Sequence, residues 1–256
     1  MTFLHAVLLG VVEGITEFLP ISSTGHLIIT EKLLGIVSTE AVKTFDITIQ
    51  LGAICAALLV YWKMLVQSKR TCALVLAAFL PTAALGALLH GPVKHYLLGN
   101  ISVVAWTLFL GGIILIVFEL LHDESKATVT TLEGMSFKQA VITGVVQTLA
   151  IIPGTSRSAA TIIGGMAIGI NRKTIVDFSF LLAIPTMAGA AALDLLKTGN
   201  ALASQDITMI AVGFLVSFVS AFVAIRWLLA YVRSHTFIAF GVYRILLALF
   251  LWVFVL

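Results

Sequence analysis

The sequence predicts an all-α, polytopic integral membrane protein built from two inverted-topology repeats. Each repeat is a re-entrant broken-helix hairpin followed by three transmembrane helices. Three observations lead there. The chain has 256 residues, 60% hydrophobic and only 11% charged, with a mean hydropathy of +1.13, whereas soluble domains hold about 25% charged residues. Apolar runs long enough to cross a bilayer recur from end to end. The second half of the chain also repeats the first.

The elements follow in order. Phe3–Phe18 and Ser23–Leu34 are apolar pieces flanking a polar break at Pro20. Each is shorter than the ~20 residues needed to cross ~30 Å of hydrocarbon, and suits half of a re-entrant hairpin. Runs of spanning length follow at Phe45–Val66, Cys72–His90 and Ile101–Leu121. The polar stretch His122–Lys138 reads as a loop. Phe137–Ile151 and Ser156–Ile170 then flank a second break at Pro153-Gly154, and spans are expected at Ile175–Leu196, Ile207–Tyr231 and Phe237–Leu256. Residues 1–256 thus form one membrane domain, with halves of about 1–122 and 136–256.

The N-terminus lacks a basic region and a small-residue cleavage site, so no cleavable signal is expected. Cys55 and Cys72 fall in or beside spans and read as small core residues. The net charge of +3 fits loops facing an anionic leaflet and gives no reason to expect nucleic acid.

The repeat is read from ordered matches. AVLLGVV at Ala6–Val12 matches AVITGVV at Ala140–Val146, an offset of 134 (140 − 6). After a one-residue slip Pro20 matches Pro153, and Ile21–Gly25 lies on Gly154–Ser158 at an offset of 133 (153 − 20). The same offset sets Phe45 on Phe178 and Gly52 on Pro185. A hairpin plus three spans reverses sides, so the second half enters from the opposite face. Counting each hairpin as two short spans leaves that parity unchanged. Inverted repeats with broken helices bring their polar breaks together near the midplane. Lys63, Lys69, Arg70, Lys126, Lys138, Arg172, Lys173 and Arg233 fall on one side, against Lys32, Lys43, Lys94 and Lys197 on the other. The richer side is expected to be cytoplasmic. Both termini and the first hairpin then belong to the outer side of the membrane.

The chemistry concentrates in EGITEFLPISSTGH, Glu13–His26. Ionisable groups inside a membrane cost roughly 2.5–3.5 kcal/mol each on insertion scales, so they mark function. Glu13 and Glu17 are spaced i,i+4 and share a helix face. Either one stays protonated as an acid, or both hold a divalent cation, or they are plain helix-surface acids. Ser22, Ser23 and Thr24 follow the Pro20 break as natural caps for the next half-helix. Its N-terminus would face the midplane as an anion site. Ser23 is then placed to attack phosphorus. His26, one turn on, is either a proton shuttle or a satisfied core residue.

The second break supplies Thr155, Ser156, Arg157 and Ser158. Arg157 reads as the one arginine far from any membrane surface, either gripping phosphate or pairing with Glu13 or Glu17. Gln147 matches Glu13, so the second half lacks that carboxylate. Gln50 either lines a cavity or joins helices. Asp46, Asp177 and Asp194 are expected at interfaces, and Arg226 and Arg244 are expected to snorkel to a surface. His5, His90, His95, His122 and His235 lie near span edges without ligand spacing.

EGITEFLPISSTGH, with TFDITIQLGA at Thr44–Ala53 and PGTSRSAAT at Pro153–Thr161, resembles the bacitracin-resistance type of undecaprenyl-diphosphate phosphatase. The resemblance covers essentially the whole chain. One departure is Ala159, where the family often has Gly. The resemblance implies hydrolysis of undecaprenyl diphosphate to undecaprenyl phosphate and phosphate, and a divalent cation, Mg2+ or Ca2+. It carries over Glu13, Glu17, Ser23, His26 and Arg157 as catalytic, with Ser22, Thr24, Thr155, Ser156 and Ser158 around the phosphate. A homodimer is left open. A lipid transporter on the same scaffold is the alternative, disfavoured because serine, histidine and two carboxylates exceed what phosphate binding needs.

Overall fold

The computed structural model describes residues 1–37, 39–97, 100–198 and 207–256, with side chains omitted for 90–96 and 194–198. His90, Lys94, His95, Asp194 and Lys197 therefore lie outside the described side chains. Ten α-helices run through the rest: α1 Phe3–Thr16, α2 Ser23–Leu33, α3 Glu40–Gln67, α4 Lys69–Tyr96, α5 Ile101–Leu121, α6 Phe137–Gln147, α7 Arg157–Ala167, α8 Arg172–Thr198, α9 Ile207–Tyr231 and α10 Ile238–Phe254. Among the described residues five helices, α3, α4, α5, α8 and α9, are long and apolar enough to cross a membrane. At 17 residues α10 is just short of that length.

Polar caps start the helices where the hydropathy pattern begins. Thr39 accepts from Val42 N–H at the start of α3, Asn100 from Ser102 and Val103 N–H at α5, and Ser136 forms a capping box with Gln139 at α6. The outward faces are apolar. On α5, Trp106, Leu110, Ile114, Val117 and Leu121 are exposed at helical spacing, while Val104, Leu108 and Leu115 are buried. An apolar stripe facing outward on a helix this long is what lipid solvates.

The packing has a two-fold pattern. α1 packs on α9 as α6 packs on α4, while α3 packs on α9 as α8 packs on α4. The pairs α3–α8 and α5–α10 map onto themselves. Close approach at equivalent glycines makes the first match physical. A Cβ on Gly10 of α1 would lie 2.8 Å from the Gly213 carbonyl oxygen of α9, and one on Gly144 of α6 would collide with the Ala78 carbonyl of α4. Small residues let membrane helices meet backbone to backbone.

Each short helix pair returns to the side it starts from. Gln139, early in α6, donates to the Ile168 carbonyl just after α7, 3.2 Å away. Ala6 and Leu9 of α1 share a cluster with Leu27 of α2 and Ile36 beyond it. Lys32 of α2 reaches the Val255 carbonyl after α10 at 2.8 Å. The other end of α10 is tied elsewhere: Glu119 of α5 accepts from Phe237 N–H at 3.0 Å and from Arg172 at the start of α8 at 2.7 Å. The mouths of the two helix pairs therefore lie at opposite ends of α10.

The sequence register needs one correction. Ser22 and Ser156 are the only non-glycine residues with positive φ among the described residues, at 72° and 71°. Each caps a half-helix. Gly35 and Gly169, with φ of 66° and 87°, follow the same spacing. The offset of 134 (156 − 22, 169 − 35) thus runs through the break, and Pro20 is not the equivalent of Pro153. The cap hydrogen bond, which needs a hydroxyl at one position, outweighs proline identity in a loop. Ser23 and Arg157, the first residues of α2 and α7, are therefore equivalent.

Candidate active site

The two breaks meet around a cavity of about 160 Å³ lined by Glu17, Ser22, Ser23, Thr24, Gln50, Ser156, Arg157 and Met187, among others. A single water needs roughly 10–15 Å³ on this footing, so a phosphate group fits with solvent to spare. Local chemistry builds it. Ser22 Oγ accepts from Gly25 N–H at 3.4 Å, and Ser156 Oγ from Ala159 N–H at 3.2 Å. Holding a serine at positive φ costs on the order of 1–2 kcal/mol. Both breaks bear that cost at the residue where a half-helix starts. Ser158 Oγ donates to the Phe18 carbonyl at 2.8 Å and ties the breaks together.

At the cavity wall one carboxylate joins the two halves. Ser23 Oγ donates to Glu17 Oε2. Arg157 Nη2 donates to Glu17 Oε1 at 2.8 Å. Arg157 is held from behind by the Ser179 carbonyl at 3.1 Å, and its guanidinium lies 5.6 Å from the Phe18 ring centroid. Its Nε is buried without a partner among the described residues. The arrangement offers a hydroxyl beside a proton acceptor, facing a fixed cation with a donor to spare.

Glu13, one turn before Glu17, is fully buried, and neither carboxylate oxygen has a hydrogen-bond partner among the described residues. A buried carboxyl group so placed is held neutral or meets a cation. Among the described residues no group of three or more His, Cys, Asp or Glu forms a metal cage. Glu13, with its unpartnered carboxyl oxygens, and Glu17 one turn on are the residues that would hold a divalent cation.

Other expected site residues fall elsewhere. His26 does not line the cavity. Its Nδ1 lies 2.7 Å from the Ser22 carbonyl and its Nε2 2.7 Å from the Tyr243 hydroxyl, with the two rings stacked at 5.5 Å. Both nitrogens are engaged away from Ser23. Ser158 faces Phe18, and neither Ser158 nor Thr155 lines the cavity. Asp46 and Asp177 are not simply interfacial. Asp46 Oδ1 is buried without a partner among the described residues, and Asp177 accepts from the Tyr61 hydroxyl at 2.7 Å. Arg226 is exposed, 4.9 Å from the Phe222 ring centroid.

Arg244 is the clearest correction. It does not snorkel: it is fully buried and donates to backbone carbonyls of both breaks. Arg157 is therefore not alone in the interior. The one signal in the sequence was Gly111-Gly112 on α5, where a Cβ on Gly111 would collide with the Arg244 guanidinium. That pairing is invisible until α5 and α10 are known to pack.

A polytopic helical membrane protein that sets a serine, a carboxylate and an arginine around one interior cavity belongs to the class equipped for phosphoryl chemistry in lipid. The chain belongs to the bacitracin resistance protein BacA family, whose model matches residues 6–250. Similar proteins share its full length. An undecaprenyl-diphosphatase of Aquifex aeolicus is 47% identical over 97% of both chains. Another, of a Sulfurihydrogenibium species, is 46% identical over 98% of this chain and 100% of its own. A third, of Wolinella succinogenes, is 45% identical over 97% and 96%.

Proposed function

We propose that this protein is a membrane phosphatase that hydrolyses undecaprenyl diphosphate to undecaprenyl phosphate and inorganic phosphate. That reaction recycles the lipid carrier of cell-wall synthesis, and its overproduction confers bacitracin resistance. The observation that carries the reading is the Glu17 carboxylate bridging Ser23 and Arg157 at the cavity, in a chain of this family.

The geometry supports a specific order of events. The diphosphate enters the cavity, and the guanidinium of Arg157, which lines it, grips a phosphate oxygen. The N-termini of α2 and α7 add their dipoles. Ser23 Oγ attacks the terminal phosphorus while Glu17 takes its proton. The bond between that phosphorus and the bridging oxygen breaks, and undecaprenyl phosphate leaves. Water then cleaves the phosphoserine, releasing phosphate and restoring the hydroxyl. Positioning and charge stabilisation do most of this work. Glu13 and Glu17 would hold a divalent cation, Mg2+ or Ca2+, which when bound neutralises diphosphate charge. The opposed mouths of the helix pairs and the lysine and arginine bias support the inverted-repeat orientation, with both termini outside a bacterial cytoplasmic membrane.

The test is phosphate release from undecaprenyl diphosphate by detergent-solubilised protein, without any membrane gradient. Ser23→Ala should lower turnover on the order of 10³-fold or more. Turnover within a few-fold of the parent would assign the attack to water instead.

A further inference from the structure

Arg244 has no counter-ion among its hydrogen-bond partners. Its Nε donates to the Leu108 carbonyl at 3.4 Å. Nη1 donates to Pro20 at 3.3 Å and Thr155 at 3.0 Å, and Nη2 to Thr107 and Gly154, both at 3.0 Å. All five acceptors are backbone carbonyls. A guanidinium has five N–H donors in a fixed fork, which matches that number. A fully buried cation paired only with carbonyls is costly, so a purely space-filling role would favour an apolar side chain. Its acceptors come from three places: α5, the first break and the second break.

The break carbonyls sit within a few residues of those proposed to do the chemistry. Pro20 precedes the cap Ser22 and Ser23, while Gly154 and Thr155 precede Ser156 and Arg157. No described residue has a cis peptide bond, and a trans peptide points its C=O and N–H in opposite directions. Turning the Thr155 carbonyl onto Arg244 therefore aims the Ser156 N–H away from it, and Ser156 lines the cavity. The neighbouring Tyr243 acts on the other half: its hydroxyl meets His26 Nε2, and His26 Nδ1 holds the Ser22 carbonyl.

We propose that Tyr243 and Arg244 of α10 are positioning residues that brace the two breaks, Arg244 gripping both and Tyr243 holding the first through His26, so that Ser23 and Arg157 face one phosphate. The brace rests on the phosphatase reading for its catalytic consequence but not for its structural one.

The experiment compares wild type, Arg244→Lys and Tyr243→Phe in detergent. It measures thermal midpoint, steady-state phosphate release and amide hydrogen exchange. Lysine keeps the charge and loses the fork. Arg244→Lys should keep a cooperative transition and lose about 100-fold in kcat, as misplacement by about 1 Å does, with KM within about threefold. Exchange should rise in peptides covering residues 17–23 and 152–157 and stay unchanged in α3. Tyr243→Phe removes one hydroxyl from a partly exposed ring, so it guards against a lysine variant that does not fold. It should lose about tenfold in kcat, with faster exchange at the first break only. Unchanged exchange at the breaks in a folded variant, or a kcat within threefold of wild type in both, overturns the brace. If wild type releases no phosphate, the phosphatase reading fails, and the exchange comparison still decides the brace.

Discussion

Glu17 shows how a single side chain joins the halves of this molecule. Its two oxygens serve Ser23 and Arg157 separately, so it is at once acceptor for the serine proton and counter-ion for the arginine. Breaking a buried ion pair by removing one partner costs about 3–5 kcal/mol, while replacing both with apolar groups is often close to neutral. Glu17→Leu should therefore destabilise the protein by about that amount. Glu17→Leu combined with Arg157→Met should recover much of the loss, which denaturation of the single and double variants measures. Activity should be lost in both variants. Recovery of stability without activity would separate the staple from the chemistry.

At the scale of elements, the half-helices matter more than the spans. Ser22 and Ser156 cap α2 and α7 with the same strained geometry, which places two helix N-termini in the interior where phosphate charge must be met. The helices that carry them are held by close backbone contact. Gly144→Ala would drive a methyl group into the Ala78 carbonyl, and Gly14→Ala would bring one within 2.5 Å of the Ser217 carbonyl. Each should destabilise by about 1–3 kcal/mol, the usual range for overpacking, read as a lowered thermal midpoint in detergent. Gly35→Ala makes a useful contrast, because a Cβ there meets nothing within 4 Å. Its cost should be only that of a positive φ, about 1 kcal/mol.

For the whole molecule, the proposed inverted arrangement predicts which loops face which solution. With Cys55 and Cys72 first replaced, Thr2→Cys should react with an impermeant maleimide added outside intact cells. Glu133→Cys, in the loop joined to Arg70 at 2.9 Å, should react only after permeabilisation. Labelling of both from the same side would overturn the orientation. The proposed reaction draws on residues from both halves, so neither half would hold the site alone. Carboxylate and serine come from the first pair of helices and the guanidinium from the second.

The sequence by itself determined the class of fold, because hydropathy and run length are properties of the chain before it folds. It also pointed to the two segments that line the interior cavity, since polar groups in lipid-length apolar runs are too costly to be incidental. Helix boundaries at Ile101–Leu121 and Ile207–Tyr231 were readable for the same reason. Only the tertiary structure decided who meets whom. It aligned Ser23 with Arg157 by cap geometry where letter matching had paired Ser23 with Ser156. It turned His26 toward Tyr243 and drew Arg244 inward onto both breaks. Each of these depends on residues up to 224 positions apart meeting through helix packing. A buried cation satisfied by carbonyls leaves no charged partner in the sequence to give it away.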